Sequence, residues 1–262
     1  MIKSTMNDDV LAKLMIRRLE SRQIMKLKST RPGYRIRLSI CAMLFSITCF
    51  LPARAAETVV PLSGKFALLN MPSGMPRDGV ILFTGNVGYV GVQPDGSVRN
   101  KRGGSMMIST RGWYSRSGVA SLLIDQGANA SEAVELLKKR GVRNVYLVGE
   151  SRGCLRAMDG LDSGITGIVL ISCMHDEVKV RFGKQDRIPP KTLVIHHIQD
   201  RCYGALPYKA EDFIRWAGAR VQVSWLAGGS DDGGHPCRSQ TFHGMKDNEG
   251  NVVSKIIQFV KR

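Results

Sequence analysis

The sequence predicts an α/β fold with a mostly parallel central sheet and helices on both faces. Three observations point to it. Apolar runs recur at 79–83, 119–125, 145–148, 165–173, 192–197 and 221–226. They are continuous rather than alternating, as strands buried on both faces must be. Segments with apolar residues at helical spacing lie between them, so strand and helix alternate along the chain. With 262 residues, the chain suffices for one large core and not for two large domains.

The elements follow in order. Gly79–Phe83 is a buried strand, and Thr84-Gly85-Asn86-Val87-Gly88 is a glycine-rich loop at its end. Residues 91–105 are polar and turn-rich, and predict an exposed loop or small hairpin. Ser109–Ser117 reads as a helix and Val119–Asp125 as the next strand. Asn129-Ala130-Ser131 opens a helix over 131–140 that Gly141 ends, with Ala133, Leu136 and Leu137 on its inner face. Ile165–Cys173 and Thr192–His197 are further strands, the second announced by Pro189-Pro190. An amphipathic helix over 205–217, a strand over Val221–Leu226 and a helix over Asn251–Val260 complete the series. In such sheets ligands bind outside the carboxyl ends of the strands.

The chain is organised around residues 142–162. Val145-Tyr146-Leu147-Val148 runs into Gly149-Glu150-Ser151-Arg152-Gly153, and a helix follows from Cys154. Strand, G-x-S-x-G and helix together make the context of a nucleophile elbow. A turn this tight strains the serine backbone, and a side chain at 149 or 153 would collide with the neighbouring strand and helix. The alternative is a glycine-rich turn whose serine caps the helix. A serine attacks only when a base takes its proton, and that base needs an orienting acid. Asp200 follows the strand TLVIHH directly, and Asp176 holds the same place after ITGIVLISC; Asp200 is preferred. Of the five histidines, His196 and His197 close a strand and His175 lies close to the serine in sequence. His235 and His243 both fall between the last strand and the last helix, and His243 is preferred because it shortly precedes that helix.

The order Ser151, Asp200, His243 resembles that of the α/β-hydrolase superfamily. The likeness covers nearly all of 78–262; it is strongest at the elbow, less strong at HHIQDRC and FHG, and weakest elsewhere. Only 18 residues, 174–191, separate two successive strands, so no cap domain is inserted there. The oxyanion loop reads Thr84-Gly85-Asn86 rather than the His-Gly of many esterases. The resemblance implies acyl transfer to water: Ser151 attacks a carbonyl, His243 relays the proton, Asp200 fixes the imidazole, and the backbone N–H groups of Asn86 and Arg152 hold the oxyanion. The expected substrate is a small or medium carboxylic ester, with no cofactor and no metal. The alternatives are a peptidase with the same machinery, or a non-catalytic envelope ligand-binding protein on the same fold. The segment 89–117, with Arg111, Trp113, Tyr114 and Arg116, reads either as a substrate-facing wall or as an ordinary packed helix and loop.

Arg35-Ile36-Arg37, the mainly apolar 14-residue region Leu38–Leu51 and Ala53-Arg54-Ala55 make a basic, apolar and A-x-A series, the pattern of a cleaved signal peptide. Residues 1–55 are therefore expected to be a leader for export and 56–262 a single domain; an uncleaved anchor is the alternative. Met25 offers a second start, which would place 1–24 upstream of the protein. The net charge of +16 is divided evenly. Residues 1–55 hold 11 Lys/Arg against 3 Asp/Glu, a surplus of 8, and residues 56–262 hold 27 against 19, again a surplus of 8. Scattered in this way, the charge argues for a basic surface and against a nucleic-acid footprint. Oxidising conditions outside the cytoplasm favour disulfides. Cys202 lies beside Asp200 and Cys237 shortly before His243, so a bond between them would join the acid loop to the histidine loop. Cys154 and Cys173 read as small core residues.

Overall fold

The computed structural model describes residues 57–100 and 104–262. The expected leader, residues 1–55, and its cleavage site lie outside the described residues. Eight strands form one sheet: β1 (Glu57–Leu62), β2 (Lys65–Asn70), β3 (Asp78–Phe83), β4 (Ala120–Leu123), β5 (Asn144–Glu150), β6 (Gly167–Ile171), β7 (Lys191–His197) and β8 (Gln222–Leu226). Their order is β1-β2-β4-β3-β5-β6-β7-β8. The β1–β2 and β2–β4 pairs are antiparallel and every other pair is parallel.

Seven α-helices cover the sheet among the described residues: α1 (Met106–Thr110), α2 (Trp113–Arg116), α3 (Ala130–Lys139), α4 (Gly153–Ala157), α5 (His175–Phe182), α6 (Pro207–Ala217) and α7 (Glu249–Val260). Successive strand residues point to opposite faces, so each parallel strand feeds two cores. Ile81, Phe83, Val145 and Leu147 pack with Leu137 of α3, Ala157 of α4, Phe182 of α5 and Phe213 of α6. Val80, Leu82, Tyr146 and Val148 pack with Met107 of α1, Tyr114 of α2 and Val252 and Ile256 of α7. Burial on both faces is why these strands read as unbroken apolar runs.

The structure departs from the sequence expectation in three places. A hairpin, β1–β2, precedes the expected series; its two-residue turn, Ser63-Gly64, holds both residues at positive φ (49° and 70°), the geometry that matches strand twist. The single helix expected over 109–117 is two short ones broken at Arg111-Gly112. The connection between β6 and β7, to which no element was assigned, folds as α5 and one 3-10 turn, Gln185–Arg187. No helix among the described residues is long and apolar enough to cross a membrane.

Two disulfides lie at the carboxyl edge of the sheet. Cys202–Cys237 spans 35 residues and joins the loop after β7 to the loop after β8. Cys154 and Cys173 are also bonded, which corrects the reading of both as free core thiols. The sharp turn after β5 lays the first turn of α4 over the end of the neighbouring strand β6, bringing the two Cα atoms to 5.9 Å. Loop-closure entropy puts the stabilisation at about 4 kcal/mol for the 35-residue separation and about 3 kcal/mol for the 19-residue one. The paired variants Cys202→Ser/Cys237→Ser and Cys154→Ala/Cys173→Ala are expected to lose those amounts in urea unfolding without reductant. A wild-type midpoint that dithiothreitol leaves unmoved would show that the thiols are unpaired.

Candidate active site

The site forms where β3, β5, β7 and the loop after β8 end at the same edge. Ser151 directly follows β5 with φ +53°, a left-handed conformation that non-glycine residues rarely take. Its N–H donates to the Ile171 carbonyl at 2.8 Å, so the strained turn is pinned to β6. A Cβ at Gly149 would lie 2.5 Å from Cys154 Cα, and one at Gly153 would lie 2.3 Å from the Phe83 carbonyl oxygen. Both glycines are required by close approach, and α4 packs directly on the end of β3.

His243 stands in a 3-10 turn, 242–244, that Thr241 caps by accepting from the His243 N–H at 3.3 Å. Its Nε2 is 2.9 Å from Ser151 Oγ, and its Nδ1 is 2.8 Å from Asp200 Oδ2. A carboxylate only accepts, so Nδ1 carries the proton and Nε2 accepts from the serine hydroxyl. Asp200 is 2% exposed, and its other oxygen accepts the Cys202 N–H at 2.8 Å. The structure thus brings Ser151, His243 and Asp200 into one hydrogen-bonded chain. The competing residues lie elsewhere: Asp176 pairs with Lys209 at 2.9 Å, and His235 is exposed.

The loop after β3 faces the elbow. The ideal Cβ position of Gly85 is 3.4 Å from Ser151 Cβ, and Asn86 holds φ +50°. Arg156 of α4 reaches back to this loop: its guanidinium donates to the carbonyls of Thr84, Gly85 (3.4 Å) and Asn86 (2.9 Å). Beyond the loop, Asp125 accepts the N–H groups of Val90, Gly91 and Val92 at 2.7, 2.9 and 3.3 Å. The segment 91–105 begins as the expected small hairpin, bridged at Val92 and Val98. The wall expected from 89–117 is not built by the four residues named for it. Tyr114 is fully buried, Arg111 pairs with Glu57 of β1 at 2.7 Å, and Trp113 and Arg116 border Val253 and Ile257 of α7.

Several buried ionisable groups surround the chain of three. Glu150, 3% exposed, accepts from the Ser105 hydroxyl; burial pushes its carboxyl up to about 7, while Ser105 and His243 hold it lower than burial alone would. Burial, and then the Glu150 charge, push the Tyr114 hydroxyl up. His175 and His196 meet edge to face at 5.2 Å behind Asp200. Burial lowers His196 to about 4 against the pull of Asp200, whose Oδ2 lies 3.8 Å from its Nε2. Burial first, and then His196, hold His175 well below its ordinary range. Sequence reasoning missed Glu150, Ser105 and Arg156. The signal for Glu150 was present, because a carboxylate directly before the elbow serine ends a buried strand beside the site.

These groups set opposite slopes of stability with pH. Glu150 is raised, so its contribution is complete below pH 4.5 and is lost as pH rises to about 7. His196 is lowered, so stability is lost as pH falls from 6.5 toward about 4. Glu150→Gln removes only the first slope. Its stability relative to wild type is expected to climb by up to about 3 kcal/mol between pH 4.5 and 7 and then level off. Chemical denaturation across that range measures it, and a constant difference would place the Glu150 carboxyl in the ordinary range.

No protein-family model matches the chain, and no curated protein sequence matches it. Solved structures do. A lid-less α/β serine hydrolase from Xanthomonas campestris superposes with a TM-score of 0.53 at 13% identity, over 80% of this chain and 95% of that one. An α/β serine hydrolase homologue from Coxiella burnetii gives 0.52 at 11%, over 78% and 96%. A dienelactone hydrolase from Anabaena variabilis gives 0.51 at 14%, over 79% and 96%. At these identities the likeness is one of architecture, and it agrees with the strand order and with the short connection between β6 and β7: the chain has the α/β-hydrolase fold without a cap domain.

Proposed function

We propose that the protein is a serine hydrolase that cleaves carboxylic esters. The observation that carries this reading is the hydrogen-bonded chain Ser151–His243–Asp200 with the serine held at positive φ above the sheet edge. The solved neighbours include a dienelactone hydrolase and an esterase from Pyrococcus furiosus, which supports a hydrolase on this fold. Ser151 Oγ adds to the ester carbonyl carbon as its proton passes to His243 Nε2. The tetrahedral oxyanion is held by the N–H groups of Asn86 and Arg152. The intermediate then expels the alkoxide, which takes the proton from His243, leaving an acyl-serine. Water gives a proton to His243 and adds to the acyl carbon, and the second intermediate releases the carboxylic acid and restores the serine hydroxyl. Asp200 stays ionised throughout and stabilises the imidazolium. Two disulfides fit an oxidising compartment, which supports export by the leader read in the sequence.

A fluorophosphonate probe tests this on the purified protein. Wild type is expected to label at Ser151, with labelling abolished in Ser151→Ala and reduced by a factor of about 10,000 in His243→Ala. Ester turnover should fall in parallel. A folded wild-type protein that neither labels nor turns over esters would instead be a ligand-binding protein on a hydrolase fold. Labelling with turnover of peptides and not of esters would make it a peptidase.

A further inference from the structure

Arg156 has no place in the mechanism above, yet both terminal nitrogens of its guanidinium donate to backbone carbonyls. It lies five residues after Ser151, on the same short helix, and donates to the carbonyls of three consecutive residues, Thr84, Gly85 and Asn86. Those three oxygens meet one guanidinium, two at Nη2 and one at Nη1, an arrangement that its positive charge favours. Gly88 makes room for it. With φ +82°, a Cβ there would lie 2.7 Å from Cζ, Nε and Nη2 of Arg156. The Gly85 carbonyl also accepts the Gly88 N–H at 3.0 Å, which closes the loop into a turn around the guanidinium.

The consequence follows from peptide geometry. The Gly85 carbonyl and the Asn86 N–H belong to one planar trans peptide unit, so they point in opposite directions. Drawing the Gly85 oxygen toward Arg156 therefore turns the Asn86 N–H away from Arg156. Asn86 is held at φ +50°, and the loop lies against the elbow at Gly85, where an added Cβ would stand 3.4 Å from the serine Cβ. We propose that Arg156 is a positioning residue for the oxyanion hole: by gripping the carbonyls of 84–86 it aims the Asn86 N–H at the oxygen that becomes negative when Ser151 attacks. The proposal rests on the serine hydrolase reading. It adds that nucleophile and oxyanion donor are registered to each other through one rigid helix, Gly153–Ala157, which carries Arg156 and begins two residues after Ser151.

The test compares wild type, Arg156→Ala and Arg156→Lys, each shown to be folded by near-ultraviolet circular dichroism. Losing the aim of one oxyanion donor is expected to slow fluorophosphonate labelling and kcat on p-nitrophenyl acetate about 100-fold in Arg156→Ala. KM should change little, because the ground-state ester does not use the donor. A trifluoromethyl ketone, which adds to serine to form an oxyanion, should lose affinity by the same factor as kcat. Lysine keeps the charge without the fork and should fall between the two, and millimolar guanidinium should restore part of the Arg156→Ala rate. A folded Arg156→Ala with wild-type kcat and inhibitor affinity would overturn the proposal while leaving the hydrolase reading intact. So would a loss of rate that guanidinium does not recover and that the trifluoromethyl ketone does not share. A wild type silent toward both probe and ester would remove the hydrolase reading, and this proposal with it.

Discussion

The close approach of α4 to the end of β3 is the constraint on which the rest of this edge depends. Gly153 sits where any Cβ would be 2.3 Å from the Phe83 oxygen and 2.6 Å from the Thr84 oxygen. That contact forces β5 to turn into its helix within two residues, and the turn in turn forces Ser151 to φ +53°. A left-handed serine costs about 1–3 kcal/mol. The cost is offset by the hydrogen bond to Ile171, the packing of α4 on the core and the Cys154–Cys173 bond, all within one turn of the strained residue. The same contact brings the 84–86 loop within reach of Arg156. Strain, loop placement and the reach of Arg156 thus all depend on the close approach that Gly149 and Gly153 permit.

The remaining two residues of the hydrogen-bonded chain come from loops, and loops need other restraints. Asp200 is fixed by the Cys202 N–H in a tight local turn, and Cys202 is bonded to Cys237. Cys237 opens the stretch that Thr241 closes by donating to the Pro236 and Arg238 carbonyls and accepting from His243. A continuous covalent and hydrogen-bonded path therefore runs from Asp200 to His243. The two disulfides restrain different parts of the edge. Cys154–Cys173 fixes the helix behind the serine, and Cys202–Cys237 fixes the loops that carry its partners.

Much of this was legible in the sequence because it depends on local rules. The parallel strands announced themselves by apolar runs that only double-sided burial explains, and the elbow by two glycines at a fixed spacing around a serine. Asp200 and His243 were readable as carboxyl-edge loop residues in the right order. What was not legible depends on the approach of segments far apart in sequence. Cys154 and Cys173 look like core residues because they are core residues; only the geometry of the elbow turn brings their Cα atoms to 5.9 Å. Arg156 looks like an ordinary polar residue on a helix, and its targets lie some seventy residues earlier. Trp113, Tyr114 and the arginines beside them suggested a binding wall by type alone, and type does not say which way a helix faces. The β1–β2 hairpin was readable in principle, since Ser63-Gly64 between two apolar segments is a turn signal.

The electrostatic setting follows from the same burial. Glu150 and Tyr114 beneath the serine are pushed up, and His175 and His196 behind the acid are pushed down, so burial drives all four toward their neutral forms. Asp200 differs from Glu150 in its partners, not in its depth. Each of its oxygens accepts an N–H, from Cys202 and from His243, whereas Glu150 accepts a hydroxyl from Ser105. Two buried carboxyls at one sheet edge thus meet different donors, and burial with a hydroxyl donor leaves Glu150 pushed up to about 7. Asp200 is the carboxyl that bonds His243, and the imidazole it orients faces Ser151 at 2.9 Å. The buried histidine pair behind Asp200 is held in its neutral form by burial, at the cost of stability in acid.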